Sequence, residues 1–215
     1  MTKAIILDLD NCLSPADEPG ASLLASVFEA IRRTNQGLFS ESEMERIHFD
    51  CWRNPLDAVA QKHGFPAEML SAAWAAYENL EVKTAMQGYD DLQTLAELPV
   101  EKFLVTSGFR RLQESKVRAL GLASILTAVY IDAVGEADRL GKEGLFQKIL
   151  RVHGLGRNEV LIVGDNPDSE IAAGNRLGIE TVQILRPGVE RGANAKYFIS
   201  GLRELQSLIP GKGRN

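Results

Sequence analysis

The chain has 215 residues, 45% of them hydrophobic, with a formal net charge of −5. That is enough apolar material for a full core in one domain, or in one domain plus a small insert. The acidic balance argues against a nucleic-acid partner, and no apolar stretch approaches the length of a membrane span.

At the amino terminus, Lys3 is followed by only four apolar residues, Ala4 to Leu7, far short of a signal peptide. The cysteines, Cys12 and Cys51, are distant in sequence and have no metal-ligand spacing, so a reduced, cytoplasmic setting is expected. A continuous apolar run of this kind suits a strand covered on both faces of a parallel sheet. It ends in Asp8-Leu9-Asp10-Asn11. Side chains two apart on an extended chain point the same way, so Asp8 and Asp10 can face one reacting group at the carboxyl end of the strand, where open α/β sheets bind ligands. Two acids this close call for a divalent cation or a shared proton. The structural alternative is a turn whose Asp and Asn cap the next helix.

From Ser14 to about Ala85 the apolar period is helical. The spacing predicts a helix from Ala21 to about Gln36 with Gly37 as a left-handed cap, and Ser40-x-x-Glu43 opens a second as a capping box. Pro55 to Gly64 and a stretch opening at Pro66 make a third and a fourth. Short loops join them, so antiparallel packing is expected. Gly88 to about Leu98 reads as another helix. Strands follow at 103–106, 128–132, 160–163 and 180–184, with a short edge strand near 197–199 and helices between most of them. The expected fold is a doubly wound, Rossmann-like parallel sheet with an inserted all-helical cap, the core being 1–15 and 86–215 and the cap 16–85. Pro210 to Asn215 is Gly-rich and basic and is expected to fray.

The second strand, Lys102 to Gly108, ends in the hydroxyls of Thr106 and Ser107, and the one at Val160 to Val163 ends in Gly164-Asp165. Between them stands Gly141-Lys142. In this order Asp8-x-Asp10, Thr106, Lys142 and Gly164-Asp165 with Glu170 resemble the four motifs of the haloacid dehalogenase superfamily of aspartate-nucleophile hydrolases, over the whole chain.

The resemblance implies a Mg2+-dependent phosphomonoesterase acting on a small phosphorylated metabolite. Asp8 would be the nucleophile that forms an aspartyl phosphate. Asp10 would be general acid and then base, with its carbonyl on the metal; dehalogenases of the superfamily lack this second acid. Thr106, with the amides of Ser107 and Gly108, would bind phosphate beside Asn11, and Lys142 would neutralise charge. Asp8, Asp10 and Asp165 would hold Mg2+, a hard cation that prefers oxygen ligands, with Glu170 in the outer sphere. Asp168 competes with Glu170; the bland reading of Glu170 is an acid in the first turn of a helix running from about Glu170 to Leu177, and that of Asp168-Ser169-Glu170 is a capping run. The chain departs from the family pattern at Glu143, where proline usually follows the lysine, and at Cys12, where threonine or valine is usual. The Asp-Asn-x-Leu run at 10–13 resembles some nucleotidase-like members and tips the expected substrate toward nucleotides. The rival readings are a phosphomutase and a catalytically silent binding module on the same fold. The helical insert is expected to act as a mobile cap that selects the substrate.

Other signals fall away. Gly135 to Lys142 fails the P-loop spacing, Gly154-Leu155-Gly156 lacks the third glycine of a dinucleotide fingerprint, and His48, His63 and His153 show no ligand spacing.

Overall fold

A computed structural model describes residues 1–209. Six parallel strands lie in the order β3-β2-β1-β4-β5-β6. They are β1 (Ala4–Leu7), β2 (Glu101–Gly108), β3 (Ala128–Ala133), β4 (Val160–Gly164), β5 (Glu180–Ile184) and β6 (Tyr197–Ile199). The chain builds one half of the sheet outward from β1 to β3 and then returns to lay β4 on the other side of β1. The carboxyl ends of β1 and β4 therefore meet at the point where the winding reverses, the position at which such sheets bind ligands.

The unbroken apolar run of β1 is explained by covering on both faces. Ile5 and Leu7 join one cluster with Leu161 and Val163 of β4, whereas Ala4 and Ile6 join the other with Val160 and Ile162. Helix α6 (Gly141–His153) covers the second face with Leu145, Phe146 and Ile149, beside α7 (Ala172–Arg176). On the first face lie α5 (Arg110–Ala119), α8 (Leu205–Leu208) and the helical segment between β1 and β2.

That segment contains α1 (Ala25–Thr34), α2 (Glu41–Arg53), α3 (Leu56–His63) and α4 (Ala67–Tyr77). Ser40 and Glu43 form the capping box, with the Ser40 amide donating to Glu43 Oε2 at 2.8 Å. Gly64 ends α3 in the left-handed region. Val27 and Ile31 of α1 and Met44 and Ile47 of α2 belong to the same apolar cluster as Ile5 and Leu7. The two connections to the sheet are tied together. Glu18 Oε1 accepts the amide of Gln87 at 2.5 Å, and the Tyr89 amide donates to Leu13 O at 3.0 Å. Gly88 sits between them at φ +70°, where a Cβ would lie 2.8 Å from Leu13 O, so both conformation and space require glycine.

Three expectations change. The helix expected from Ala21 starts as a 3-10 turn, Ala21–Leu24, before α1. Residues 88–98 form only a 3-10 turn, Leu92–Glu97. Their polar groups are committed elsewhere: Gly88 to Glu18, Tyr89 to Leu13, and the Asp91 carboxylate to Arg186 and the Leu202 amide. The expected helix from Glu170 opens instead as a wide π turn, Pro167–Ile171, and α7 begins only at Ala172. The wide turn carries Glu170 inward, a distortion often found at functional sites. The expected fraying of Pro210 to Asn215 lies outside the described residues.

Candidate active site

Each expected site residue reaches one cavity of about 450 Å³ at the carboxyl end of the sheet. Asp8 and Asp165 follow β1 and β4, and the Asp8 amide continues the ladder to Val163 O at 3.0 Å. Glu170 completes a group whose carboxylate oxygens all lie within 4.8 Å of one another. Gly164 makes this possible, because a Cβ there would stand 2.7 Å from Glu170 Cγ. Asp168 is exposed, and its amide donates to Asn166 Oδ1 at 2.9 Å. Of the two competing acids, Glu170 is the one beside Asp8.

Lys142 Nζ donates to Asp8 Oδ1 at 2.7 Å and also contacts the Glu170 carboxylate. Glu143, standing where the family pattern has proline, does not displace it and pairs outward with Arg176. Burial opposes charge on Lys142, but Asp8 and Glu170 outweigh it and raise its pKa. One lysine does not balance three buried acids. Burial pushes Asp8 well above the usual carboxylate range despite Lys142, with Glu170 and Asp165 adding to the effect. Burial and Glu170 push Asp165 to about 7.

A raised carboxyl pKa stabilises the metal-free fold below the ordinary value and loses that contribution as pH rises through the folded value. For Asp165 the window runs from 3.8 to about 7. Metal-free Asp165→Asn is therefore expected to gain stability relative to the wild type across that window, as read by chemical denaturation in a chelator. A difference that shrinks with rising pH would contradict the placement of the three carboxylates.

Asp10 stands apart from this group, clamped from α5. Lys116 Nζ donates to its Oδ1 at 2.6 Å, and Gln113 Nε2 approaches Oδ2 at 3.5 Å. Thr106 Oγ1 in turn donates to Gln113 Oε1 at 3.2 Å, so the second motif is linked to the first through that amide. Gly108, at φ +150°, leaves room for it, since a Cβ would lie 2.7 Å from Gln113 Nε2. Asn11 adopts φ +55°, and its Oδ1 accepts the Ala16 amide at 3.2 Å, which closes the turn after the acids. Ser107 does not cap α5, whose first position follows Phe109. Its hydroxyl donates to Asp132 Oδ2 at 3.2 Å.

Sequence reasoning missed four of these supports. Gln113 and Lys116 are polar residues three apart on the buried face of an amphipathic helix, a signal present in the sequence. Asp132 also accepts Arg139 Nε at 2.8 Å and the Gly141 amide at 2.9 Å, which fixes the turn that delivers Lys142. Arg186 holds the loop after β1 by donating from Nη2 to Cys12 O at 3.2 Å, and it pairs with buried Asp91 at 2.7 Å. Nothing local in sequence links those residues. Cys12 is fully buried, with Sγ 3.8 Å from Val163 O, and burial holds its thiol well above its usual range. A thiol buried in this way fills space and is poorly reactive. Among the described residues no histidine lines the cavity.

A model of haloacid dehalogenase-like hydrolases matches residues 5–184, most of the chain. The chain belongs to the haloacid dehalogenase-like hydrolase family. Within the family, it is 26% identical over 230 residues to a glyceraldehyde 3-phosphate phosphatase of Methanocaldococcus jannaschii, with 97% of each chain covered. It is also 26% identical to a ribulose-1,5-bisphosphate 5-phosphatase of Halopiger xanaduensis, covering 97% of this chain and 100% of that one. In fold it is similar to a haloacid dehalogenase phosphatase from Thermococcus onnurineus, at a TM-score of 0.67 and 22% identity, covering 98% and 99% of the two chains. Among the described residues no helix is long and apolar enough to cross a membrane.

Proposed function

We propose that the chain is a Mg2+-dependent phosphomonoester hydrolase that works through an aspartyl phosphate on a small phosphorylated metabolite. The observation that carries this reading is the meeting of Asp8, Asp165, Glu170 and Lys142 on one cavity floor with Asp10 beside them. The three acids fit a hard divalent cation: they are buried, offer oxygen donors within one ion's reach, and exceed the charge of their single lysine. Asp8, Asp165 and the Asp10 carbonyl would hold the metal, with Glu170 in its outer sphere. When bound, the cation supplies positive charge to the phosphoryl oxygens.

The chain's own residues do the rest. Asp8 attacks phosphorus, and the P–O bond to the leaving alcohol breaks as Asp10 donates a proton to that oxygen. Asp10 then takes a proton from the water that hydrolyses the aspartyl phosphate. Lys142 stays charged opposite the transferring group, and Thr106 with the Ser107 and Gly108 amides binds its oxygens beside Asn11. The clamp from Lys116 and Gln113 keeps the Asp10 carboxyl oriented through both steps.

We assign 1–15 and 86–215 to the catalytic core and 16–85 to a cap that closes over it. Trp52, Asn54 and Tyr77 of that segment line the cavity, which supports a part in selecting the substrate. The names of the curated relatives support a phosphorylated triose or pentose over a nucleotide.

The test is hydrolysis of a series of aryl phosphates with and without Mg2+. Chelated protein is expected to be inactive and restored by Mg2+. The rate lost in Asp10→Ala, on the order of 100- to 1000-fold for poor leaving groups, is expected to shrink as the leaving group becomes more acidic. Equal loss across the series would show that Asp10 is not the acid.

A further inference from the structure

The cationic side chains around the cavity are not equivalent. Lys116 is spent on Asp10 at 2.6 Å, Lys142 on Asp8 at 2.7 Å, Arg139 on Asp132 at 2.8 Å and Arg176 on Glu143 at 2.6 Å. Arg53 lines the same cavity and, among the described residues, has no carboxylate partner. Its one side-chain hydrogen bond there runs from Nη2 to Gly188 O at 2.9 Å. A guanidinium carries five N–H donors in a planar fork that matches carboxylate or phosphate, so most of this one's capacity is unused.

Two local features account for a cation at this position without using up its donors. Arg53 closes the last turn of α2, where the helix dipole favours positive charge. Its guanidinium carbon lies 4.9 Å from the centre of the exposed Phe49 ring, one turn earlier, which steadies the side chain. Neither feature explains why it reaches across to the loop after β5. The direction of that reach does, because it carries the guanidinium from the helical segment to the mouth of the site. A cation held there, near enough to Asp165 to favour its charged form yet in no ion pair with any of the acids, keeps its donors for an anion that arrives with the ligand.

We infer that Arg53 binds a second anionic group on the substrate, a carboxylate or a further phosphate distal to the phosphoryl group at Asp8. The inference rests on the phosphatase reading and narrows it to metabolites with two anionic ends. Because Arg53 belongs to the proposed cap and its acceptor Gly188 to the core, the same contact would couple recognition of the distal anion to closure over the nucleophile. Binding energy from the remote end of the substrate would then assist the reacting centre.

The experiment compares kcat/KM of the wild type and Arg53→Gln on matched pairs: 3-phosphoglycerate against glycerol 3-phosphate, and a pentose bisphosphate against the pentose monophosphate. Glutamine keeps a donor for Gly188 O and removes the charge. The wild type is expected to favour the doubly anionic member of at least one pair. Arg53→Gln is expected to reduce that preference roughly 10- to 100-fold, mostly through KM, as loss of charge-assisted hydrogen bonds predicts. The pair that responds identifies the distal group. A purely structural role would lower both members of each pair equally and leave the preference intact, which overturns the assignment, as would a wild type that favours the singly anionic members. p-Nitrophenyl phosphate separates the two levels of the claim. If the wild type hydrolyses it with Mg2+ but shows no preference within either pair, the inference about Arg53 fails alone. If it hydrolyses neither that ester nor any of the four metabolites, the phosphatase reading fails, and the inference with it.

Discussion

Asp8→Asn is expected to lower kcat at least about ten-thousand-fold, the scale on which removal of a nucleophile acts, without unfolding the protein. The amide has nearly the same shape but cannot displace an alcohol from phosphorus. It also removes one of three crowded carboxylates whose mutual repulsion and burial raise the pKa of Asp8. Lys142 keeps Glu170 as a partner, so no unpaired charge is created. Thermal denaturation should therefore show a midpoint no lower than that of the wild type. Loss of activity accompanied by unfolding would mean that Asp8 acts mainly through structure.

The largest stability effect is expected at the pair formed by Asp91 and Arg186, far from Asp8 in sequence. Their side chains are 4% and 5% exposed, and Asp91 also accepts the Leu202 amide at 2.7 Å. Arg186 in addition donates to Cys12 O and lies 4.0 Å over the Tyr89 ring. One ion pair thus joins the loop after β1, the connection after the helical segment and the segment following β6. Asp91→Asn leaves a buried guanidinium without its counter-charge, which costs about 3–5 kcal/mol and, for a chain of this size, lowers the melting midpoint by roughly 10 °C. Replacing both partners with apolar residues, Asp91→Leu with Arg186→Met, should recover part of the loss, because no charge is then buried alone. A double variant as unstable as the sum of the two singles would show that packing, not charge, holds this junction.

What the sequence disclosed divides along physical lines. Most strands were legible because they are short apolar runs ending in Gly, a hydroxyl residue or an acid, and both sheet faces are covered; β5, with Thr181 and Gln183 within it and Leu185-Arg186 after it, has no such ending. The helices of the insert were legible from caps that act locally: Ser40 with Glu43, Pro55 with Gly64, and Pro66. Segments bound by long-range partners were not. Residues 88–98 have a helical pattern, yet Gly88, Tyr89 and Asp91 are held by Glu18, Leu13 and Arg186, and only a 3-10 turn survives. The start of α7 is likewise reshaped by burial of the Glu170 carboxylate against Lys142. In the site, motif residues at strand ends could be named one by one. The clamp on Asp10 could not, because Gln113 and Lys116 act through a helix face whose neighbour is set only by the fold.

The central claim is that Asp8 carries the phosphoryl group during turnover. It is tested most directly by acid-quenching the Mg2+-loaded protein within one turnover of a substrate with radiolabelled phosphate, then digesting it and mapping the label. Label in the peptide containing Asp8, released by hydroxylamine as an acyl phosphate is, and absent in Asp8→Asn, is the predicted result. Stoichiometric release of inorganic phosphate with no covalent label at any quench time, together with unimpaired turnover by Asp8→Asn, would contradict it.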